Sequence, residues 1–286
     1  ARHSEQRKTA QPAVAPNMLK EYESLIRSRT QGLLDSIPVG EPFDWVDTVS
    51  VELTTMMLAT LFDYPFERRR DLTRWSDVAT NMNNPDICPG GEEQWKQEMM
   101  TCLTTFMGLF QERGAMDEKN DLISLLAHGE KTRNRTPMEL LGNVILLIVG
   151  GNDTTRNSMT GSVYALNKFP AEYEKLKADH SLIPNMVSET IRWQTPLAFM
   201  RRTALEDVEM HGKTIKKGDQ VAMWYVSGNR DERFWDRPND YIIDRENARR
   251  HISFGFGIHR CVGNRLAELQ LQILWQEIME RFSHIE

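Results

Sequence analysis

One long segment without a helix-breaking proline limits the folds that this chain can adopt. Thr136 can act as an N-cap, Pro137 takes the first helical position, and Glu139 stands three residues after the cap, which is the pattern of a capping box. No further proline occurs until Pro170. The pattern predicts one helix over residues 137–168, about 48 Å long at ~1.5 Å per residue. A helix of that length crosses a whole domain.

The rest of the chain is predicted to be mostly helical with one small β region. Apolar residues recur at helical spacing along much of the N-terminal half and again over residues 264–281. A shorter helix is predicted over residues 186–194, where Pro196 ends it. After it the apolar period changes to two, which predicts short strands joined by turns over residues 208–226. We therefore expect a mainly α fold.

Composition excludes several classes of protein. Hydrophobic residues make up 40% of the chain, enough for a large core, and the formal net charge of −6 offers no basic surface for nucleic acid. The longest apolar runs, residues 144–149 and 221–226, are far too short for a transmembrane helix. Three cysteines in 286 residues make no disulfide framework, which indicates a reducing, cytoplasmic location.

Residues 254–263 read Phe-Gly-Phe-Gly-Ile-His-Arg-Cys-Val-Gly and directly precede the last predicted helix. Glycines let a tight loop approach a flat object closely. Cys261 falls near the start of that helix, where the helix dipole favours an anion and thus the metal-binding thiolate. A buried structural cysteine and half of a zinc site are the alternatives. Zinc needs about four ligands, and this segment offers only His259 and Cys261.

This ten-residue pattern resembles the haem-ligand loop of the cytochrome P450 monooxygenases. The resemblance implies that Cys261 is the thiolate ligand of a haem b iron, a form of ligation that favours O–O cleavage. It also implies that His259 and Arg202 bind haem propionates, with Arg201 as the competing candidate to Arg202. His3 and Arg7 match the family's H-x-x-x-R, in the early helix that runs over the haem edge.

The long predicted helix carries a second motif, Gly-Gly-Asn-Asp-Thr-Thr at residues 150–155. Gly150, Asp153 and Thr154 stand at i, i+3 and i+4 and share a face. The segment resembles the oxygen-binding part of the family's long helix. By that resemblance, Thr154 offers its hydroxyl in dioxygen activation and holds a water there, and Asp153 connects the water to solvent as a proton relay. A peroxide-driven haem enzyme would not need Asp153 and Thr154, so the presence of both residues argues against that class.

Glu189 and Arg192 form a third motif at i, i+3 on the predicted helix over residues 186–194. An ordinary solvated ion pair is the alternative for an isolated E-x-x-R. The motif precedes the β region and the cysteine loop, as it does in the P450 family. The resemblance implies a structural pair that locks the region framing the thiolate loop.

Residues 150–159 and 193–202 are most similar to those of the bacterial soluble terminal alkane hydroxylases of the family. This resemblance implies terminal hydroxylation of medium-chain linear alkanes, or of fatty acids, to primary alcohols. A steroid or sterol side-chain oxidase is the alternative within the family, and a haem sensor or electron carrier is the alternative outside it. The residues expected to face substrate are uncharged: Leu146, Val149, Gly150, Leu197, Ala198, Phe199 and Met200.

Bacterial members of this type take electrons from NAD(P)H through a ferredoxin reductase and a ferredoxin. No flavin domain is recognisable in the sequence, so separate redox partners are expected. The resemblance extends along essentially the whole chain, which predicts part of a single catalytic domain over residues 1–286. We expect the family's N-terminal β lobe to precede Ala1 and its C-terminal β hairpin to follow Glu286, which makes the chain an internal fragment.

Overall fold

The computed structural model describes residues 2–286. Its helices are α1 (Arg2–Ala10), α2 (Pro16–Ser36), α3 (Glu52–Phe62), α4 (Arg70–Thr80), α5 (Gly91–Gly114), α6 (Leu122–His128), α7 (Pro137–Lys168), α8 (Pro170–Ala178), α9 (Ile183–Gln194), α10 (Tyr225–Gly228) and α11 (Asn264–Arg281). The strands are β1 (Phe199–Thr203), β2 (Val208–Met210), β3 (Lys213–Ile215) and β4 (Gln220–Trp224). The predicted mainly α fold with a small β region is confirmed.

Helix α7 has the bounds that the sequence predicts. Its capping box is formed on both sides: the Glu139 backbone N–H donates to the Thr136 hydroxyl at 3.3 Å, and the Thr136 N–H donates to the Glu139 carboxylate at 3.0 Å. These bonds satisfy donors that a helix N-terminus otherwise leaves without partners. At the other end, Pro170 lacks a backbone N–H and starts helix α8 instead.

The chain divides into two compact units. The first contains Ala1–Thr160 and Val262–His284, and the second contains Gly161–Cys261 and Ile285–Glu286. This division does not test the prediction of a single catalytic domain, which stays a prediction. In the first unit a tight aromatic group lies in the core, with ring centroids 5.4 to 6.1 Å apart, formed by Phe62, Tyr64, Trp75 and Phe106.

The second unit contains both two-stranded sheets. Strands β2 and β3 form a hairpin whose turn, His211–Gly212, has positive φ at both positions, as a type I′ turn requires. Strand β1 pairs antiparallel with β4, with Phe199 opposite Trp224. The sequence prediction missed β1, because its first two residues are both apolar and break the alternation. It also extended β4 to Val226, whereas Tyr225 already begins the short helix α10.

No helix within residues 2–286 is long and apolar enough to span a membrane.

Candidate functional site

The cysteine loop, residues 254–261, is a closed turn in the second unit. The Cys261 backbone N–H donates to the Phe254 carbonyl at 2.8 Å and closes the loop. Gly255 and Gly257 both have positive φ, 69° and 72°, which side-chain-bearing residues rarely adopt. A Cβ at Gly257 would meet nothing within 4 Å, whereas one at Gly255 would lie 3.3 Å from the Tyr225 hydroxyl. The loop therefore needs glycine for its backbone at both positions.

The residues of this loop fit a haem. Phe256 and Ile258 expose 85% and 69% of their surfaces, which is unusual for large apolar side chains so close together, and a flat apolar ring would cover them. Cys261 is partly exposed at the end of the loop. Haem needs only one or two protein ligands because the porphyrin supplies the others. Within residues 2–286 no group of three or more His, Cys, Asp or Glu side chains could hold a metal ion.

Arg202 and Arg201 lie next to each other on β1, so their side chains point to opposite faces. The Arg201 guanidinium donates to the Gln220 side chain of β4 at 3.0 Å. Arg202 is half-buried, its guanidinium donates to the Arg201 carbonyl at 2.9 Å, and it forms no ion pair with a carboxylate of residues 2–286. The structure therefore does not decide between Arg201 and Arg202 as the propionate ligand. Binding of a haem propionate by Arg202, or by the exposed His259, stays a prediction.

His3 and Arg7 stand one turn apart on α1 in the first unit, and both are half-buried. Helix α1 is tied to α7 by a hydrogen bond of 3.3 Å from the Gln6 side chain to that of Asn143. The structure thus places both residues on one helical face. Their role toward haem stays a prediction.

Thr154 and Gly150 form an open section of α7. The Thr154 hydroxyl donates to the Gly150 carbonyl one turn earlier at 3.2 Å. Gly150 is exposed, and a Cβ built on it would meet nothing within 4 Å. On another side of the helix Gly151 makes a close contact, since a Cβ there would lie 2.9 Å from Leu58. The two glycines therefore do different things: Gly151 permits packing and Gly150 leaves space beside the threonine.

Asp153 points toward helix α4. Its Oδ1 atom accepts hydrogen bonds from the Ser76 hydroxyl at 3.2 Å and from Arg156 Nη2 at 2.7 Å. The same Arg156 nitrogen donates to Asp77 Oδ1 at 3.1 Å. Burial raises the pKa of Asp153, the Arg156 charge lowers it, and the Asp77 charge raises it further. Sequence reasoning missed both partners of Asp153 and the second acceptor, Asp77; only Arg156, at i+3, could have been found from spacing.

Glu189 and Arg192 form a fully buried ion pair on α9. Arg192 Nε and Nη2 donate to the two carboxylate oxygens of Glu189 at 2.7 and 2.8 Å. The solvated-pair alternative is therefore wrong. Arg245, which the sequence analysis missed, donates from Nε to the same carboxylate at 3.0 and 3.1 Å. Arg192 makes three more bonds of 2.8 to 3.1 Å, to the backbone carbonyls of Asn229, Pro238 and Asp240.

Asn229 and Ser253 connect this buried pair to the cysteine loop. The Asn229 side chain donates to the Ser253 hydroxyl at 2.8 Å and accepts from the Ile252 N–H at 2.8 Å. The Ser253 hydroxyl donates to the Ile191 carbonyl of α9 at 2.7 Å. All four residues lie within the second unit, and residues 252 and 253 directly precede the loop. Helix α9 thus fixes the chain where the loop begins.

The residues expected to face substrate are largely accessible in each unit. In the first unit, Leu146 is 69% exposed on α7, and Val149 and Gly150 follow it on the helix. In the second unit, Leu197, Ala198, Phe199 and Met200 are all exposed, and the Phe199 ring packs against that of Trp224 with centroids 4.7 Å apart. Trp224 was not among the predicted residues. Contact of these side chains with substrate stays a prediction.

Comparison with known proteins gives consistent matches. The family described as Cytochrome P450 matches residues 92–286. Linalool 8-monooxygenase of Pseudomonas putida is 35% identical over 290 residues, which cover 99% of this chain and 70% of that protein.

Two solved structures are each 50% identical to the chain and cover 98% of it. Cytochrome P450-153 from Novosphingobium aromaticivorans has a TM-score of 0.89, with 68% of its own chain covered. CYP153D17 from Sphingomonas sp. PAMC 26605 has a TM-score of 0.90, with 70% covered. The predicted P450 fold is thus confirmed. A family match over more than half of the chain, and a relative of this identity along nearly all of it, mean that this chain belongs to the cytochrome P450 family.

Proposed function

We propose that this P450 hydroxylates the terminal carbon of medium-chain linear alkanes, giving primary alcohols. Fatty acids of similar length are the related substrates. Electrons come from NAD(P)H through a ferredoxin reductase and a ferredoxin. The observation that carries the proposal is that the residues expected to face substrate are uncharged and, apart from the half-buried Val149, exposed; they lie on α7 and at and just before the start of β1. The 50% identity to two bacterial P450 structures supports the assignment to the bacterial type.

Haem b is the cofactor that the residues fit, with the Cys261 thiolate as its iron ligand. Arg202, His259, His3 and Arg7 are the proposed partners of its propionates. When bound, haem supplies the reduction of O2 and the insertion of one oxygen atom into a C–H bond.

The chain's own part in the reaction is to hold and move protons. The Thr154 hydroxyl bonds to the Gly150 carbonyl at rest, and rotation about χ1 frees it to hold a water in the space beside Gly150. Asp153 next to it is partly exposed, so it exchanges protons with solvent and passes them toward that water. Asp153→Asn is expected chiefly to slow turnover, because it interrupts the relay while keeping the shape of the side chain.

Substrate binding is proposed to rest on burial of the hydrocarbon chain alone. Each buried CH2 contributes about 0.8 kcal/mol, so a medium-length alkane binds without a polar anchor. None of Leu146, Val149, Leu197 or Phe199 can pair with a carboxylate, which favours alkanes over fatty acids. The terminal C–H bond is stronger than its neighbours, so selectivity for it must come from a narrow passage. Leu197 and Phe199 are proposed as the wall of that passage.

The test uses the haem-loaded enzyme with a ferredoxin and its reductase. The carbon-monoxide difference spectrum of the reduced protein establishes haem-thiolate ligation first. A panel of linear alkanes, fatty acids and sterols then follows, with products identified by gas chromatography. Conversion of octane to 1-octanol is expected. Oxidation of a sterol side chain without any alkane product would replace this proposal with the steroid alternative, and haem binding without product from any substrate would favour a sensor or electron carrier.

A matched pair of variants tests the proposed wall. Phe199→Ala widens the passage and is expected to move part of the product from 1-octanol to internal alcohols. Phe234→Ala is the control, because Phe234 is also about half exposed and also packs on a tryptophan, Trp235, with centroids 4.7 Å apart. It lies outside the proposed substrate segments and should leave the product distribution unchanged. Equal product distributions for both variants would contradict the role of Phe199.

A further inference from the structure

One nitrogen of Arg156 is shared by two carboxylates. Arg156 Nη2 donates to Asp153 at 2.7 Å and to Asp77 at 3.1 Å. Asp153 and Arg156 lie one turn apart on α7, whereas Asp77 lies on α4 and its neighbour Ser76 also donates to Asp153. Two consecutive residues of α4 therefore hold Asp153, one directly and one through Arg156.

Within residues 2–286, no other charged group shifts the pKa of Asp153 to a comparable degree. The charges that shift its pKa are those of Arg156 and Asp77, with Ser76 as a neutral donor. Helix α3 approaches the preceding residue with a neutral group, since the Thr54 hydroxyl donates to the Asn152 side chain at 3.1 Å. Asn152 is fully buried and anchors the helix at this point.

Arg156, Asp153 and Asp77 together carry one positive and two negative charges. One guanidinium therefore cannot neutralise both carboxylates. The side chains of Asp153, Arg156 and Asp77 keep 21%, 18% and 30% of their exposure, which leaves them only partly hydrated. A guanidinium paired with Asp153 alone would stabilise its ionised form strongly. A proton relay must bind a proton as well as release it. Because Asp77 competes for the same Arg156 nitrogen, Arg156 stabilises the ionised form of Asp153 less strongly.

We propose that Asp77 is a positioning residue for proton delivery, which draws Arg156 partly away from Asp153 and so lets Asp153 take up a proton. The inference rests on the proposed function only in giving Asp153 the relay role. It couples the proton donor to the placement of α4, because a shift of that helix changes how Arg156 divides between its two partners.

The test is Asp77→Asn, which keeps the shape and removes the charge. Arg156 then pairs with Asp153 alone. Because both carboxylates contact one nitrogen, their oxygens lie within about 6 Å of each other, and at that distance loss of one charge lowers the pKa of Asp153 by about one to two units. Asp71→Asn is the matched control, since Asp71 lies on the same helix but contacts Tyr64 and Arg68.

The first readout is independent of activity. Infrared spectra of the resting haem-loaded protein are recorded across pH, and the Asp153 carboxyl band is assigned by its loss in Asp153→Asn. Asp77→Asn should shift the midpoint of this band to lower pH by about one to two units, and Asp71→Asn should leave it in place. An unshifted midpoint in Asp77→Asn overturns the inference.

The second readout follows the protons during turnover. At a fixed pH above the pKa of Asp153, each unit by which that pKa falls makes the protonated form about tenfold rarer. Asp77→Asn should therefore raise the solvent isotope effect on turnover and the fraction of electrons lost to peroxide. A shifted infrared midpoint with neither change overturns the coupling to proton delivery. If alkanes are not converted, the same comparison is made with whichever substrate the panel identifies, and a positive result there supports the inference while the alkane proposal fails.

Discussion

Replacing the buried carboxylate of Glu189 by an amide should unfold the second unit at a much lower temperature. In Glu189→Gln the side chain keeps its size but loses the charge that faces two guanidinium groups. Those groups belong to Arg192 and Arg245, which are 0% and 7% exposed. The amide can accept at one position only and presents its own N–H donors to the second guanidinium.

The size of the effect follows from the burial of this cluster. Removing one partner of a buried ion pair costs about 3–5 kcal/mol, because the remaining charge has no counterion and no water. Here two guanidinium groups are left rather than one, and the Ile242 backbone N–H, which donates to Glu189 Oε1 at 3.0 Å, loses a charged acceptor as well. At roughly 2 °C per kcal/mol for a chain of this size, the melting temperature should fall by about 6–10 °C.

Thermal unfolding followed by circular dichroism, with loss of the haem absorption band recorded in parallel, measures this effect. Glu174→Gln is the matched control, because Glu174 is 70% exposed and pairs with Lys177 on the surface. An exposed pair contributes about 0–1 kcal/mol, so the control should melt within about 2 °C of the parent protein. Equal melting temperatures for the two variants would refute the idea that the buried cluster supports this unit.

The remaining predictions concern single side chains. Cys261→Ala should abolish the thiolate-type band of the ferrous carbonyl complex and all oxygenation, while Cys102→Ala and Cys88→Ala keep both; burial raises the pKa of Cys102 to about 12, so it stays a thiol. Thr154→Ala should bind haem normally but form less product and more peroxide per NADH, and unchanged coupling would contradict its role. Burial and nearby arginines lower the pKa of His251 to about 4; the unfolded chain therefore binds this proton first, and the free energy of unfolding should fall by up to about 3 kcal/mol from pH 6.5 to 4. Denaturant titrations across pH should show this slope in the parent protein and a weaker one in His251→Gln.

Local chemistry explains which elements the sequence could predict. The bounds of α7 followed from a capping box at one end and a proline at the other, and both signals act within a few residues. The bounds of α11, Asn264–Arg281, were predicted equally well from its apolar stripe. Helix α9 begins three residues before the predicted Met186, because Pro184 sits in its first turn, where proline is well tolerated. Strand β1 depends on pairing with β4, about twenty residues away, and has no local signal of its own.

The same distinction between local and long-range signals applies to the candidate site. The residues of its three motifs could be found because each motif is contiguous or has helical spacing. Their partners could not: Ser76 and Asp77 lie more than seventy residues before Asp153 and Arg156, and Arg245 lies far after Glu189. Periodicity carries no information across such separations. The three-dimensional contacts thus add the partners that surround each motif.

Two of the motifs involve an acid–arginine pair with the same i, i+3 spacing, and the structure gives these two pairs different surroundings. In Glu189–Arg192 every guanidinium N–H has an acceptor, and no water reaches the pair, so only one arrangement satisfies it. In Asp153–Arg156 the hydrogen bonds recorded for the guanidinium within residues 2–286 all start from one nitrogen, which two carboxylates share at partial exposure. The first pair is suited to a fixed support for the cysteine loop. The second offers one nitrogen to two acceptors, which suits the relay role proposed for Asp153.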